Sequence, residues 1–182
     1  MAHIHFESAH AMLHSRLFAC FALASALLLP VAHALADPAI IYVTRHGEKG
    51  SESKDPNLTA QGQARARGLA MLLRKVGIKQ IFSTTTNRTV QTAQPLASQL
   101  GIDVQTYDAA KPAIVIDKIK ALGGATLLVG HSNTVPDLVR LLGGAPGAPI
   151  ADDEFDRLYQ VIIGADGSVS TVLMTSYPIP AP

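Results

Sequence analysis

"IIYVTRHGEKG", residues 40–50, decides how this chain is read. Its first half is a short apolar, β-branched run, of a length that suits a buried strand better than a helix. Its second half delivers a guanidinium, an imidazole and a glycine where that strand must leave the sheet. Strands buried on both faces belong to parallel sheets covered by helices, and such sheets bind ligands at the carboxyl ends of their strands. The stretch therefore raises the question of whether other apolar strands also end in reactive side chains.

Working outward, strand-like and helix-like segments alternate. AIIYVT (39–44) reads as a strand. Thr59 then caps a helix, TAQGQARARGLAMLLRKVG, with Ala66, Leu69, Ala70, Leu72 and Leu73 at helical spacing and Gly77 as terminator. KQIFS (79–83) is a second strand, and RTVQTAQPLASQLG (88–101) a second helix with Pro95 inside it or dividing it. IDVQTY (102–107) alternates as a third strand, and PAIVIDKIKALGG (112–124) opens with Pro at a first helical position and closes at Gly. ATLLVG (125–130) is another near-continuous apolar strand, followed by the helix TVPDLVRLLGG (134–144). RLYQVIIGADGSVSTVLMTSY (157–177) reads as two strands joined across Ala-Asp-Gly. The pattern predicts an α/β fold: a mostly parallel sheet with helices on both faces, three layers, and a C-terminal antiparallel edge hairpin.

This topology puts the loops that begin at Arg45, Ser83, Tyr107 and His131 on one rim. The first carries Arg45, His46 and Glu48, with Gly47 permitting a close backbone approach. The second presents Arg88 near a helix start, where backbone N–H groups favour anions. The fourth places His131, Ser132 and Asn133 before another helix. His46, Arg88 and His131 follow one another at intervals of about one strand–helix unit. Two arginines and two histidines converging on one pocket suit a tetrahedral, doubly charged anion, because guanidinium forks match phosphate oxygens. An imidazole between cations is pushed toward its neutral form, which can attack phosphorus.

Composition narrows the alternatives. With 15 Lys+Arg against 14 Asp+Glu, nothing favours nucleic acid or a membrane surface as partner. Of seven histidines, only His46 and His131 lie beyond residue 36. Two His without a supporting Cys or tight carboxylate cluster make a poor transition-metal site, so no metal and no cofactor is expected. Asp152, Asp153, Glu154 and Asp156 read as a solvated acidic loop rather than a calcium loop, since their spacing is not that of an EF-hand.

Residues 1–36 differ from the rest. LFACFALASALLLPVAHALA (17–36) has no Asp, Glu, Lys or Arg, follows Arg16, and ends in Ala-Leu-Ala. This is the pattern of a signal peptide cut before Asp37, with Met12 as a possible true start, and it predicts export to the periplasm. A retained membrane anchor is the alternative reading. The run lies mainly after Cys20, which argues against a lipoprotein. Residues 37–182 then form a single domain with no stable membrane insertion expected, and oligomeric state is not indicated.

Together, RHGE (45–48), RTVQTA (88–93) after a strand ending in Ser, and GHSN (130–133) after an apolar strand resemble the histidine phosphatase superfamily, in its branch of small phosphatases and phosphoglycerate mutases. The resemblance covers residues 39–142. It implies His46 as a nucleophile that becomes phosphohistidine, with Arg45, Arg88 and His131 binding the phosphoryl group and Asn133 beside them. Thr85 departs from the Pro often found after the Ser. In mutase-like members the acid is usually a Glu after the third strand. The matching stretch, TYDAAKP (106–112), offers Asp108, with Asp137 and Glu48 as alternatives. The expected activity is metal-independent hydrolysis of a small-molecule or glycan phosphomonoester. A non-catalytic phosphate- or phosphosugar-binding module and mutase-type phosphotransfer are the competing readings.

Overall fold

β1 (Ala39–Arg45) lies near the middle of a six-stranded sheet and sets the level of everything around it. In the computed structural model, residues 38–178 are described; the expected leader at 1–36, with Met12 and Cys20, lies outside them. The other elements are α1 (Ala60–Leu73), β2 (Ile78–Ser83), α2 (Asn87–Leu100), β3 (Val104–Thr106), α3 (Pro112–Leu122), β4 (Gly124–Gly130), α4 (Val135–Leu141), β5 (Arg157–Ile163) and β6 (Val169–Thr175). The strand order is β3-β2-β4-β1-β5-β6. β1 to β4 are mutually parallel, while β5 pairs antiparallel with β1 and β6 with β5. The expected α/β architecture and edge hairpin are therefore present.

Side chains of β1 alternate between two cores. Ile41 and Val43 join Phe82 and Leu128 under Val115, Ile116 and Ile119 of α3 and Val135, Leu138 and Val139 of α4. Tyr42 joins Ile81, Leu127 and Val129 on the other face, beneath Leu69 and Leu73 of α1 and Ala93 and Leu96 of α2. Helices thus cover both faces, as the unbroken apolar runs require. Burial of each such aliphatic side chain contributes about 1.5–3 kcal/mol, so the central strands carry much of the stability.

Local signals explain most boundaries. Thr59 Oγ1 accepts the Gly62 N–H at 3.1 Å, capping α1 as expected. α1 ends at Arg74 rather than Gly77, which instead adopts φ 78° in the following turn. Leu72, grouped with the apolar stripe, is 47% exposed, because Leu69, Ala70 and Leu73 already fill the contact. α2 runs through Pro95 undivided and stops at Gly101, whose left-handed φ of 66° suits only glycine without strain. The last helix is shorter than expected, since Gly143, at φ 89°, already lies in the turn after Leu142.

Candidate active site

The register puts four loops level. Arg45 pairs with Gly130 across β1 and β4, and Ser83 with Val129 across β2 and β4, so His46, Thr84 and His131 emerge side by side. His46 is held at both ends: its N–H donates to Gly130 O at 3.0 Å, and ring Nδ1 lies 2.7 Å from Gly47 O. A carbonyl can only accept, so Nδ1 carries the proton and Nε2 keeps its lone pair. Gly47 N–H in turn donates to Thr92 Oγ1 at 2.9 Å, tying the loop to α2. Gly47 is required here because a Cβ would lie 2.9 Å from Gly62 O, where α1 crosses the loop.

His46, Arg45, Arg88, His131, Ser132 and Asn133 line one open cleft of about 410 Å3. The two imidazoles meet edge to face, with ring centroids 5.4 Å apart. Burial, opposed by the hydrogen bond to Gly47 and reinforced by His131, Arg45 and Arg88, pulls His46 down to about 4. Burial, followed by Arg88 and Arg45, likewise pulls His131 down to about 4. Both rings are therefore neutral at pH 7, and His46 presents an unprotonated Nε2.

Arg45 is itself braced. Its Nη1 donates to Ala151 O and Glu154 O, each at 2.8 Å, and its guanidinium stacks 4.0 Å from the Phe155 ring centre. Arg88 Nη2 approaches His131 Nδ1 at 3.5 Å, and Nη1 approaches Asp55 Oδ1 at 3.5 Å. Among the described residues, Nε of Arg45 and Nε of Arg88 are buried with no hydrogen-bond partner. Buried guanidinium donors are normally satisfied, so two orphans in one cleft point to an anion that accepts from them. At the start of α2, Asp55 already accepts from Asn87 N–H at 3.0 and 3.1 Å, so that backbone donor is not free for an anion.

The carboxylates separate clearly. Asp108 lines an adjoining depression that shares His131 and Ala109 with the cleft, and its Oδ1 accepts from Ala110 N–H at 2.9 Å. Asp137 is exposed and paired with Arg140 on the surface of α4. Glu48 faces away into a buried pair with Arg65, whose Nε and Nη2 donate to it at 2.6–3.1 Å and whose Nη1 donates to Ser176 O. Asp152, read from sequence as part of a solvated acidic loop, lines the cleft with His46 and Asn133. The loop reaches the site because Arg45 binds its backbone, and within it Glu154 pairs with Arg157 at 2.6 Å. Thr84, Asp152 and Phe155 are the site residues that sequence reasoning missed. No three His, Cys, Asp or Glu side chains among the described residues are grouped to hold a metal ion.

Comparison with known proteins agrees with this geometry. The model of the histidine phosphatase superfamily (branch 1) matches residues 41–111, spanning Arg45, His46 and Arg88. The protein named Probable phosphoglycerate mutase GpmB, from Enterobacter sp. (strain 638), is 35% identical over 71 residues, which span 35% of this chain and 33% of that protein. The match thus spans about a third of that relative's length. The protein histidine phosphatase SixA, solved with tungstate, superposes with a TM-score of 0.59 at 18% identity, covering 76% of this chain and 96% of that one. A mycobacterial glucosyl-3-phosphoglycerate phosphatase gives 0.59 at 14% identity, covering 78% and 99%. A phosphoglycerate mutase from Bacillus anthracis str. Sterne gives 0.58 at 15% identity, covering 76% and 92%. Over residues 41–111, with the RHG segment, the chain is similar to the histidine phosphatase superfamily (branch 1), and its fold is shared with solved proteins of that kind.

Proposed function

We propose that the protein is an exported phosphatase that hydrolyses a phosphomonoester through a phosphohistidine on His46, without a metal. The observation that carries this reading is the pair of buried, unpartnered Nε donors of Arg45 and Arg88 beside a neutral His46. The lone pair of Nε2 attacks phosphorus, the bond from phosphorus to the leaving oxygen breaks, and that oxygen takes a proton. Arg45, Arg88, His131 and Asn133 offset charge on the remaining oxygens. Water then attacks phosphorus, the P–N bond breaks, and orthophosphate leaves. The proton donor is one of the two carboxylates flanking the histidines, Asp108 or Asp152. Export rests on the apolar run at 17–36 with its Ala-Leu-Ala ending. The open cleft, lined by Arg45, Lys49, Arg88 and Asp152, suits a small-molecule or glycan phosphomonoester.

Turnover of an aryl phosphate and of sugar phosphates by the full chain in the presence of EDTA tests the reading, with His46→Ala as control. Turnover abolished by EDTA overturns the metal-free route. Anion binding without turnover of any substrate means a binding module instead. The similarity to phosphoglycerate mutases favours a second reading, phosphotransfer to an acceptor hydroxyl. Transfer between phosphoglycerate positions exceeding release of orthophosphate identifies it. Recovery of the protein in the periplasmic fraction with an N-terminus at Asp37 tests export.

A further inference from the structure

The hydroxyls of Thr84, Thr86 and Thr89 form a cluster behind His131. Thr89 Oγ1 lies 3.0 Å from Thr84 O and 2.8 Å from Thr86 O, and only the hydroxyl can be the donor. When its one proton goes to either carbonyl, Thr89 Oγ1 accepts from the hydroxyls of Thr84 at 2.8 Å and Thr86 at 2.9 Å. In that arrangement Thr84 gives its single proton to Thr89, and Thr84 Oγ1 accepts from His131 Nε2, 3.0 Å away. At the other side of the ring, Arg88 Nη2 approaches Nδ1 at 3.5 Å and can only donate. The Arg88 contact selects this arrangement, with Nε2 carrying the proton, and Thr84 and Thr89 are 3% and 0% exposed, so water does not compete for these bonds.

We propose that Thr84 is a positioning residue that, through Thr89 and a backbone carbonyl, locks His131 as the Nε2–H tautomer, so that His131 takes up a proton at Nδ1 when a phosphoryl group binds. The lone pair of Nδ1 faces Arg88, and a phosphate oxygen arriving there has no proton to share with it. The free site keeps His131 neutral because burial and the cations Arg45 and Arg88 oppose protonation. The groups around the ring are His46 and Arg45 from the end of β1, Arg88 from α2, Lys49 and Asp152 on the cleft walls, and Asp108 in the adjoining depression. An incoming dianion outweighs the opposing cations and draws the proton from solvent onto Nδ1. The ring then donates to a phosphate oxygen at Nδ1 while still donating to Thr84 at Nε2. This proposal rests on the phosphatase reading only for its kinetic consequence.

The test uses 15N-imidazole NMR of the full-length protein together with orthovanadate as the probe anion. At pH 7 the wild type is expected to show His131 protonated at Nε2 alone, and protonated at both nitrogens once vanadate is bound. Vanadate binding should then tighten as pH falls through and below neutral toward the free-state pKa of His131, about 4, since the bound-state pKa lies above 7. Thr84→Val is expected to give mixed tautomers and about tenfold weaker vanadate binding, and Thr84→Ser to restore both. A wild-type His131 protonated at Nδ1 in the free state overturns the proposal, as does Thr84→Val with unchanged tautomer and affinity. If Thr84→Val fails to fold, the wild-type spectra and Thr84→Ser still decide the matter. Correct tautomer and vanadate response without turnover of any phosphomonoester count against the phosphatase reading alone.

Discussion

His46 and His131 meet edge to face with their ring centroids 5.4 Å apart, and each is kept neutral by burial and by the same two arginines. The sign of the pH effect follows. In the folded chain both titrate near about 4 rather than at 6.5, so below 6.5 the unfolded chain binds more protons than the folded one. Stability is unaffected by these rings above 6.5 and declines as pH falls from there toward 4. NMR titration of the ring Cε1 protons should give both midpoints well below 6.5. Urea midpoints should fall over the same window in the wild type, and less in His131→Phe. Midpoints near 6.5 would remove the basis for a neutral nucleophile.

Arg45 links clamp and wall. The guanidinium proposed to bind a phosphoryl group also holds Ala151 O and Glu154 O and stacks on Phe155. Arg45→Lys keeps the charge but loses the fork and the stacking face. It is expected to lower kcat/KM by about 100-fold, the scale for removing an oriented donor to developing charge. The same variant should be cut faster by protease within 147–156. Loss of activity with an unchanged cleavage rate would separate the clamp from the bracing role.

The parts of the site legible in the sequence share one feature. Arg45 ends an apolar β-strand, His46 and His131 each stand directly after one, and Arg88 lies in the first turn of the helix that follows another, so strand topology alone brings them together. Thr84, Asp152 and Phe155 carry no such mark. Thr84 is one of three successive threonines, and only the hydrogen bond to His131 Nε2 distinguishes it. Asp152 and Phe155 lie in an irregular loop after α4, brought to the rim by backbone contacts with Arg45 that no residue pattern encodes. The helix–loop contact at Gly62 was equally hidden, because glycine inside a helix reads as weak propensity until its neighbour is known.

Gly62 permits that contact at close range. A Cβ at this position would lie 2.1 Å from Glu48 O and 2.9 Å from Glu48 N, both backbone atoms that cannot swing aside. Glycine to alanine within a helix ordinarily gains about 1 kcal/mol. Overpacking costs about 1–3 kcal/mol and occasionally more, so the clash outweighs the propensity. Gly62→Ala is expected to lower the urea midpoint and to reduce activity through displacement of the His46 loop. A stabilised Gly62→Ala would mean that α1 can shift without cost.

Glu48 stands next to Gly47 in sequence yet belongs to the scaffold. Its carboxylate accepts three contacts from Arg65, and the side chains are only 13% and 10% exposed. Removing one partner of such a pair leaves a nearly buried charge, at about 3 kcal/mol for a pair not wholly withdrawn from solvent. Glu48→Gln is therefore expected to lower the urea midpoint substantially while the folded fraction keeps most of its kcat. A large kcat loss with unchanged stability would return Glu48 to the list of proton donors.

The proton donor divides between two loops. Asp152 lines the cleft that contains His46, whereas Asp108 lines the neighbouring depression and already accepts from Ala110 N–H. A general acid must reach the leaving oxygen, which in an in-line displacement lies opposite the nucleophile, and it contributes about 100- to 10,000-fold. Protonation matters most when the leaving group is a poor one, so alkyl and aryl phosphates separate the roles. Asp152→Asn is expected to slow an alkyl phosphate by at least about 100-fold, with a much smaller effect on a nitrophenyl phosphate. Asp108→Asn should change both by less than about threefold if it only shapes the rim. The reverse pattern assigns the proton to Asp108 and leaves Asp152 as a contact for the leaving group. Equal, small effects from both variants would point to solvent as the donor and to substrates whose leaving groups need little protonation.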